Sequence, residues 1–318
     1  MSNLSGAMRR QLASEWSTRA LELDTEVRSS DGTRKLVLKT TDGARIEAVI
    51  IPEQERRTLC VSSQIGCSLD CSFCATGRMG LARNLRADEI VDQVLHGSQR
   101  LREEGERLTH LVFMGMGEPL LNLANVVQAI RILTDPDAGA FSPRRVTVST
   151  AGVVPRMQAL GEAVRTRLAV SLHATTDEVR DVLVPLNRRF PIAELLDACR
   201  RYPVARRDRI SFEYTLIRDV NDSAADARRL VKLVHGLPAK INLIPLNEHP
   251  GTSYRRPDDD TVERFASLLA ASRAPVSVRR SRGDDVFAAC GQLANLTERR
   301  PAETREDSRP DVRYTHKA

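Results

Sequence analysis

Residues 59–77 read LCVSSQIGCSLDCSFCATG, and this stretch decides the fold and the chemistry that we expect of the chain. It joins a short apolar strand pattern to a CxxxCxxC motif formed by Cys67, Cys71 and Cys74, with Phe73 before the last cysteine. Three thiolates this close in sequence can hold three corners of a cubane iron–sulfur cluster and leave one iron without a protein ligand. The stretch therefore predicts a cluster site on the loop after the first strand of a larger sheet.

Other uses of three cysteines fit this motif less well. A structural zinc site usually has four protein ligands, and the nearest histidine, His96, lies in a predicted helix at no standard ligand spacing. An electron-transfer ferredoxin would need a fourth cysteine. The spacing is similar to that of radical S-adenosylmethionine (SAM) enzymes, whose unligated iron is chelated by the amino and carboxylate groups of SAM. We therefore expect one [4Fe-4S] cluster per chain, bound by three cysteines, and SAM.

Short apolar runs alternate with helical patterns from Leu59 onward. The runs are LCVSS, HLVFMG, VTVST, LAVSLH, ISFEYTLI, INLIPL and VSVRR. This alternation predicts an α/β fold with a parallel sheet and helices outside it. Six or seven units fit an open or partial barrel better than a closed eightfold barrel, and the similarity of the cysteine motif implies a partial (β/α)6-type radical SAM barrel with an N-terminal helix and β-hairpin. Polar residues gather just past the strand ends, where such folds place their sites.

The two ends of the chain predict different structures. Residues 4–16 have a helical pattern, and a polar stretch then leads to a turn at residues 30–32. The runs KLVLKT and ARIEAVIIP flank a Thr-Asp-Gly turn at residues 41–43 and predict a β-hairpin that carries Glu47. Residues 297–318 are charged and nearly devoid of large aliphatic side chains, which predicts a disordered tail.

The composition argues against a membrane protein and a disulfide scaffold. The chain has 318 residues, 41% of them hydrophobic, and no run approaches the roughly 18 apolar residues of a membrane span. The N-terminus lacks the apolar middle of a signal peptide, so we expect a cytoplasmic protein. Six cysteines in a reducing compartment indicate metal binding or catalysis. The formal net charge of +6 allows an anionic partner without requiring one.

The segment MGMGEP at residues 114–119 predicts part of a cofactor site. Its glycines allow close approach of the backbone, and the carboxylate of Glu118 could receive an ammonium group. A glycine–proline bracket is also an ordinary strand-to-helix turn. The interpretation as a cofactor site is favoured because the segment lies one βα unit after the cysteine loop.

Six longer strings resemble one family, the radical methyltransferases of adenine in ribosomal and transfer RNA that comprise RlmN and its paralogue Cfr. The strings are CVSSQIGCSLDCSFCATG, VFMGMGEPLLN, STAGVVP, LAVSLHA, INLIPLNEHPG and RGDDVFAACGQLA. They occur in the family's order. The resemblance implies a radical SAM catalytic domain over residues 35–296, preceded in residues 1–34 by the remnant of an accessory helical region.

The resemblance also implies roles by position. The three cysteines of the motif would hold the cluster. Cys290 would carry the methyl group, Cys60 would be its partner thiol, and Glu47 would accept a proton. The residues implied in SAM binding are Gly117, Glu118, Ser149, Ser171, Leu172, His173 and Asn247.

The implied reaction is methylation of an adenine carbon, carbon 2 above all, in rRNA and/or tRNA through a methyl-cysteine intermediate. RNA and an electron donor such as flavodoxin or ferredoxin would be the partners, and no membrane would be involved. Three alternatives stay open: Cfr-like methylation at carbon 8, a paralogue with a non-RNA substrate, and an iron–sulfur RNA-binding protein without catalysis. The presence of both Cys60 and Cys290 disfavours the last, because binding needs neither thiol.

Arginine clusters indicate where RNA phosphates could bind. They lie at 144–145, 188–189, 206–209, 255–256 and 279–282, and each alone is typical of a solvated surface. Aromatic residues are only 4% of the chain, so an extended base-stacking platform is not indicated. Cys199 lies in a helical pattern outside every family motif, and we expect it to pack in the core.

Overall fold

The computed structural model describes residues 4–15, 17, 19–137, 139–206, 208–270, 274–294 and 313–314. The helices are α1 (Gly6–Glu15), α2 (Ala87–Arg102), α3 (Leu123–Leu133), α4 (Val154–Ala163), α5 (Asp177–Leu183), α6 (Ile192–Arg201), α7 (Ala224–Val234) and α8 (Asp259–Leu269). The strands are β1 (Leu21–Arg28), β2 (Arg34–Thr40), β3 (Arg45–Glu53), β4 (Arg56–Cys60), β5 (Gln64–Gly66), β6 (Leu81–Asn84), β7 (His110–Phe113), β8 (Val146–Thr150), β9 (Arg167–Ser171), β10 (Ile210–Leu216), β11 (Ala239–Pro245), β12 (Val276–Val278) and β13 (Arg313–Tyr314).

The main sheet has a parallel part and an antiparallel part. Its strand order is β1-β2-β3-β4-β7-β8-β9-β10-β11-β12-β13. From β4 through β12 each strand pairs in parallel with the next, and a helix follows β4 and each strand from β7 to β11. In the described part of the chain β12 pairs with β13 and does not close back onto β4. The predicted α/β partial (β/α)6-type barrel is confirmed.

Burial explains why the parallel strands read as nearly continuous apolar runs. All seven residues of β10 are buried, since helices cover one face of the strand and the barrel interior covers the other. Leu59, Leu111, Val148 and Phe212 belong to one core cluster that runs across the strands. Cys199 lies in the same cluster, as predicted.

The N-terminal sheet is larger than the sequence indicated. The predicted hairpin is confirmed as β2 and β3, with Val37 opposite Glu47. The interpretation of the preceding stretch as a polar connection is wrong, because Leu21–Arg28 form β1 and pair with β2. The apolar residues of β1 occupy only alternate positions between charged ones, which is sufficient for a strand with one covered face.

The chain ends bear on two further predictions. The predicted N-terminal helix is confirmed as α1, two residues shorter at its start. The predicted disordered tail lies outside the described residues, except for Arg313–Tyr314, which pair with β12. None of the described helices combines the length and apolar character that crossing a membrane requires.

Candidate active site

One large cavity lies at the carboxyl ends of the parallel strands. The cysteine loop, the segments that follow four of the strands, and the C-terminal segment around Cys290 contribute to its lining. Most of the predicted site residues line it, namely Cys67, Cys71, Cys74, Gly117, Glu118, Ser149, Ser171, His173, Asn247 and Cys290. The fold thereby gathers at one place the residues that the sequence distributes over most of the chain.

Contacts from a distant segment hold the cysteine loop. The hydroxyl oxygens of Ser72 and Tyr254 lie 3.0 Å apart, and His249 Nε2 lies 3.2 Å from the carbonyl oxygen of Phe73. Phe73 itself is buried in a small apolar cluster with Leu183 and other residues. Contacts within the protein therefore position the loop that carries the three thiols.

The three loop thiols form a donor set that fits a cluster. Burial raises the pKa of all three, that of Cys67 to about 11, and a bound metal removes this cost because it deprotonates a coordinating thiol. No group of three or more His, Cys, Asp or Glu side chains in the described ranges is arranged to hold a metal ion. A cubane cluster requires a different geometry, in which each cysteine binds its own iron, so soft sulfur donors on one cavity wall remain compatible with it.

Glu118 is a buried carboxylate on the cavity wall. Its Oε1 accepts the N–H of Leu120 at 3.0 Å, and its Oε2 accepts that of Ala151 at 2.8 Å. Burial raises the pKa of Glu118 despite these hydrogen bonds. A ligand ammonium group would offset the cost of burying this charge, so Glu118 fits the amino group of SAM. Gly117 before it has a φ of 91°, which favours glycine.

His173 is a neutral imidazole with a fixed orientation. Its Nδ1 accepts the N–H of Thr215 at 3.0 Å, which leaves the ring proton on Nε2. Burial and the nearby Arg180 lower the pKa of His173 to about 3. Its ring packs edge-on against Phe73 with centroids 4.9 Å apart. His173 therefore links the end of β9 to the cysteine loop without adding charge to the cavity.

Arg180 is a buried cation that sequence reasoning missed. Its guanidinium donates to the carbonyl oxygens of Ala151 at 2.7 Å, Ser171 at 3.0 Å and Leu172 at 3.0 Å. It thereby joins the ends of β8 and β9. The predicted SAM residue Leu172 does not line the cavity, and it contributes this carbonyl instead. Helix α5 reads DEVRDVL, which does not distinguish Arg180 from a surface residue.

Cys290 is close enough to Cys60 to raise the pKa of the Cys60 thiol. Burial raises the pKa of Cys60 strongly, and Cys290 raises it further. Cys290 is exposed, but the protein atoms around it still raise its pKa. Its carbonyl accepts Asn247 Nδ2 at 3.0 Å. Cys60, the last residue of β4, is buried beside the cavity and does not line it.

Glu47 lies in β3, outside the cavity lining. Its side chain is fully buried, with Oε1 3.1 Å from Nζ of Lys35. Lys35 Nζ also donates to the carbonyl oxygen of Phe287 at 3.4 Å, so the C-terminal segment that carries Cys290 covers the pair. Val49 lies opposite Cys60, and side chains two apart on a strand share a face. Glu47 and Cys60 are therefore on the same face of the sheet.

Glu213 is a second polar residue that sequence reasoning missed. It lies within β10, is buried, and lines the cavity. Its Oε1 accepts Asn242 Nδ2 at 2.7 Å. The sequence did indicate a special role for Glu213, because a carboxylate inside the apolar run ISFEYTLI is unusual for a strand buried on both faces.

The fold and the site together define a radical SAM protein, with a partial parallel barrel and a three-cysteine loop at its carboxyl edge. Residues 61–231 match the Radical SAM superfamily. A dual-specificity RNA methyltransferase RlmN from Anaeromyxobacter dehalogenans is 52% identical over 299 residues, which cover 92% of this chain and 80% of that protein. The RlmN of Geotalea uraniireducens is 49% identical over 293 residues, covering 92% and 84%.

A solved structure also shows similarity to radical SAM methyltransferases. The crystal structure of a radical SAM methyltransferase from Sphaerobacter thermophilus matches with a TM-score of 0.88 and 47% identity, over 92% of this chain and 86% of that one. The chain belongs to the RlmN family of radical SAM methyltransferases.

Proposed function

We propose that the protein methylates carbon 2 of an adenine in rRNA and/or tRNA, with Cys290 as the carrier of the methyl group. The observation that carries this proposal is the position of Cys290 on the same cavity as the three loop cysteines. A thiol there can take a methyl group from SAM by displacement and hold it covalently. The names of the RlmN relatives support an RNA substrate.

The cofactors are assigned on the donor set. Cys67, Cys71 and Cys74 would hold one [4Fe-4S] cluster. The residues proposed to bind SAM are Gly117, Glu118, Ser149, Ser171, His173 and Asn247, and Leu172 contributes indirectly, through the carbonyl oxygen that accepts from Arg180. When bound, the reduced cluster and SAM supply the methyl group and a radical that abstracts hydrogen. The electron would come from a donor such as flavodoxin or ferredoxin.

The chain's own residues complete the reaction. Carbon 2 of adenine has neither an acidic proton nor a nucleophilic lone pair, so it would not take a methyl group directly from SAM. The new carbon would instead be joined to the base while it is still bonded to the Cys290 sulfur. The adduct would then lose one electron, which would return to the oxidised cluster, and one proton, which Glu47 would accept. The Cys60 thiolate then attacks the Cys290 sulfur, the sulfur–carbon bond breaks, the carbon takes up a proton and the methylated base leaves. A Cys60–Cys290 disulfide remains and must be reduced before the next turnover.

The carrier role is tested by peptide mass spectrometry. Anaerobically reconstituted protein is incubated with SAM that carries a deuterated methyl group. Labelled Cys290 is expected in the unaltered protein and in a Cys199→Ala control, whose core cysteine lies outside the site, and no label is expected in Cys290→Ala. An unlabelled Cys290 in protein that still releases deoxyadenosine from SAM would contradict the carrier role.

A second measurement tests the acceptor. Nucleosides from RNA treated with the reconstituted protein and SAM are separated and identified by mass. We expect 2-methyladenosine. A product methylated at carbon 8 would replace the carbon-2 assignment with the Cfr-like reaction, and labelled Cys290 without any methylated nucleoside would indicate a non-RNA acceptor.

A further inference from the structure

A second cavity, of about 310 Å³, is lined in part by residues at the amino ends of β4, β9, β11 and β12. One wall comes from the end of β3 and the start of β4, and the other from β12 and the segment after it. We call it the cationic cavity, after the basic residues in its lining: Arg56, Arg167, Lys240, Arg279, Arg280 and Arg282. Those residues come from four strands or their flanking segments, so the cluster exists only in the folded chain.

The cationic cavity adjoins the active site. Arg279 lines both spaces. Lys240, Asn242 and Ile244 lie at alternate positions of β11 and share a face. The first two line the cationic cavity, and Ile244 lines the active site. Glu213, which accepts the amide of Asn242, lines the active site. The two spaces therefore meet at Arg279 and along β11.

Glu53 is the one carboxylate in the described lining, and two further carboxylates lie near the basic groups. Arg279 Nε lies 3.9 Å from Glu213 Oε2, and Arg167 Nε lies 3.8 Å from Asp208 Oδ1. Both distances exceed the roughly 2.7–2.9 Å of a charged hydrogen bond. The side chains of Arg279 and Arg167 are about half exposed, so water weakens these attractions. The two pairs leave most of the hydrogen-bonding capacity of both arginines available.

The remaining basic groups act on one another. Arg56, Lys240 and Arg282 have no carboxylate within 4.0 Å among the residues that the structure describes. Burial lowers the pKa of Lys240, and the positive charges of Arg279 and other neighbours lower it further. Like charges gathered around a concave surface repel one another and create a positive potential that favours an anion.

We propose that the cationic cavity binds the phosphodiester backbone of the RNA strand whose base occupies the active site. This inference rests on the proposed function and names the surface that holds its substrate. Guanidinium groups donate paired hydrogen bonds to phosphate oxygens, so Arg56 on one wall and Arg282 on the other hold one strand from two sides. The number of basic groups favours an RNA strand over a small free anion, because several phosphates of one strand can interact with several of these groups.

The test compares two double variants that each remove two positive charges. Arg56→Gln/Arg282→Gln alters the cationic cavity. Arg131→Gln/Arg200→Gln alters exposed arginines of α3 and α6, outside both cavities. Binding of a fluorescein-labelled RNA hairpin with an unpaired adenine is measured by anisotropy over a range of salt concentrations. Binding of SAM to the reconstituted proteins, measured by equilibrium dialysis, checks that the active site of each variant is intact.

We expect the cavity variant to bind RNA about tenfold more weakly, with a slope of log Kd against log salt that is smaller by about 1.4, or about 0.7 for each lost phosphate contact on a single strand. The control variant should stay within about twofold of the unaltered protein. Equal losses of RNA affinity in both variants would mean that binding depends only on the total charge of the protein, and would overturn the proposal. Unchanged binding in the cavity variant would overturn it as well.

Chemical modification of the RNA backbone tests which phosphates contact the cationic cavity. Uncharged methylphosphonate linkages beside the unpaired adenine should weaken binding by the unaltered protein and have little further effect on Arg56→Gln/Arg282→Gln, because both changes remove the same contact. Additive losses would contradict the assignment. If the unaltered protein becomes labelled at Cys290 but binds no RNA, the RNA substrate of the proposed function is wrong, and this inference fails with it.

Discussion

Lys35 Nζ lies 3.1 Å from Glu47 Oε1, and both side chains are fully buried. The pair connects β2 to β3 beneath the C-terminal segment that carries Cys290. An intact buried ion pair adds little net stability because both charges lose their hydration, whereas removal of one partner leaves a buried charge without compensation. Lys35 therefore makes it possible to bury a carboxylate at the position of the proposed base.

Replacing Lys35 by methionine should lower the free energy of unfolding by about 3–5 kcal/mol. The double variant Lys35→Met/Glu47→Gln should recover much of this loss, because no unpaired charge remains. Urea unfolding measures both. Lys39→Met changes an exposed lysine on the same strand and should stay within about 0.5 kcal/mol of the unaltered protein. Equal effects of the two single substitutions would contradict a buried pair.

Replacing Arg180 by methionine should disorganise the SAM site. The substitution leaves the carbonyl groups of Ala151, Ser171 and Leu172 without their donor, and each buried unsatisfied group costs about 1–3 kcal/mol. We expect a lower free energy of unfolding and at least tenfold weaker SAM binding in equilibrium dialysis. Arg200→Met, on the exposed side of α6, should change neither. Normal SAM affinity in the Arg180 variant would argue against its positioning role.

Replacing Cys60 by alanine should trap the enzyme on its product. In the proposed reaction the Cys60 thiol breaks the sulfur–carbon bond between Cys290 and the base, so its loss should leave RNA attached to the protein. A denaturing gel of a reaction with labelled RNA should show an adduct for Cys60→Ala. Neither Cys60→Ala/Cys290→Ala nor the core variant Cys199→Ala should form it. Free methylated RNA from Cys60→Ala would exclude Cys60 from product release.

Gly117→Ala should damage the site through both sterics and strain. A Cβ at this position would lie 2.4 Å from Cβ of Gln64, whose Oε1 accepts the N–H of Glu118 at 2.7 Å. Gly43 also has a positive φ, but its Cβ would meet open space, so Gly43→Ala should cost only about 1 kcal/mol of strain. Thermal unfolding and SAM dialysis should show a larger loss for Gly117→Ala. Equal losses would mean that the contact with Gln64 is unimportant.

The pKa of His173, lowered to about 3 by burial, predicts a specific loss of stability in acid. Below about pH 6.5 the unfolded chain binds a proton at this histidine and the folded chain does not, so stability falls as the pH falls, by up to about 1.4 kcal/mol per pH unit. His173→Asn should remove this part of the slope between about pH 6.5 and pH 4.5, because asparagine does not titrate and tolerates the positive φ. His235→Asn, at an exposed position, should keep the slope. A His173 variant with the full slope would contradict a neutral buried imidazole.

The class of fold and most of the candidate site follow from local patterns in the sequence. Cys67, Cys71 and Cys74 lie within eight residues of one another, so their motif is visible without the fold. The strand and helix periods are equally local, and parallel strands must place their ends at a common rim. That rule is sufficient to predict that residues just past the strand ends, such as Glu118 and Asn247, gather at one site. Strand β1 was missed although its apolar residues alternate with charged ones, which is the period of a strand with one covered face.

The tertiary structure decided which polar residues are buried and which distant groups meet. Lys35 and Arg180 stand in charged contexts typical of a surface, and only the elements that pack over them make them interior cations. The closeness of Cys60 to Cys290, and the meeting of Arg56 with Arg282 around one cavity, depend on segments far apart in the chain. Burial and long-range proximity are properties of several elements packed together, so no local pattern of residue types contains them.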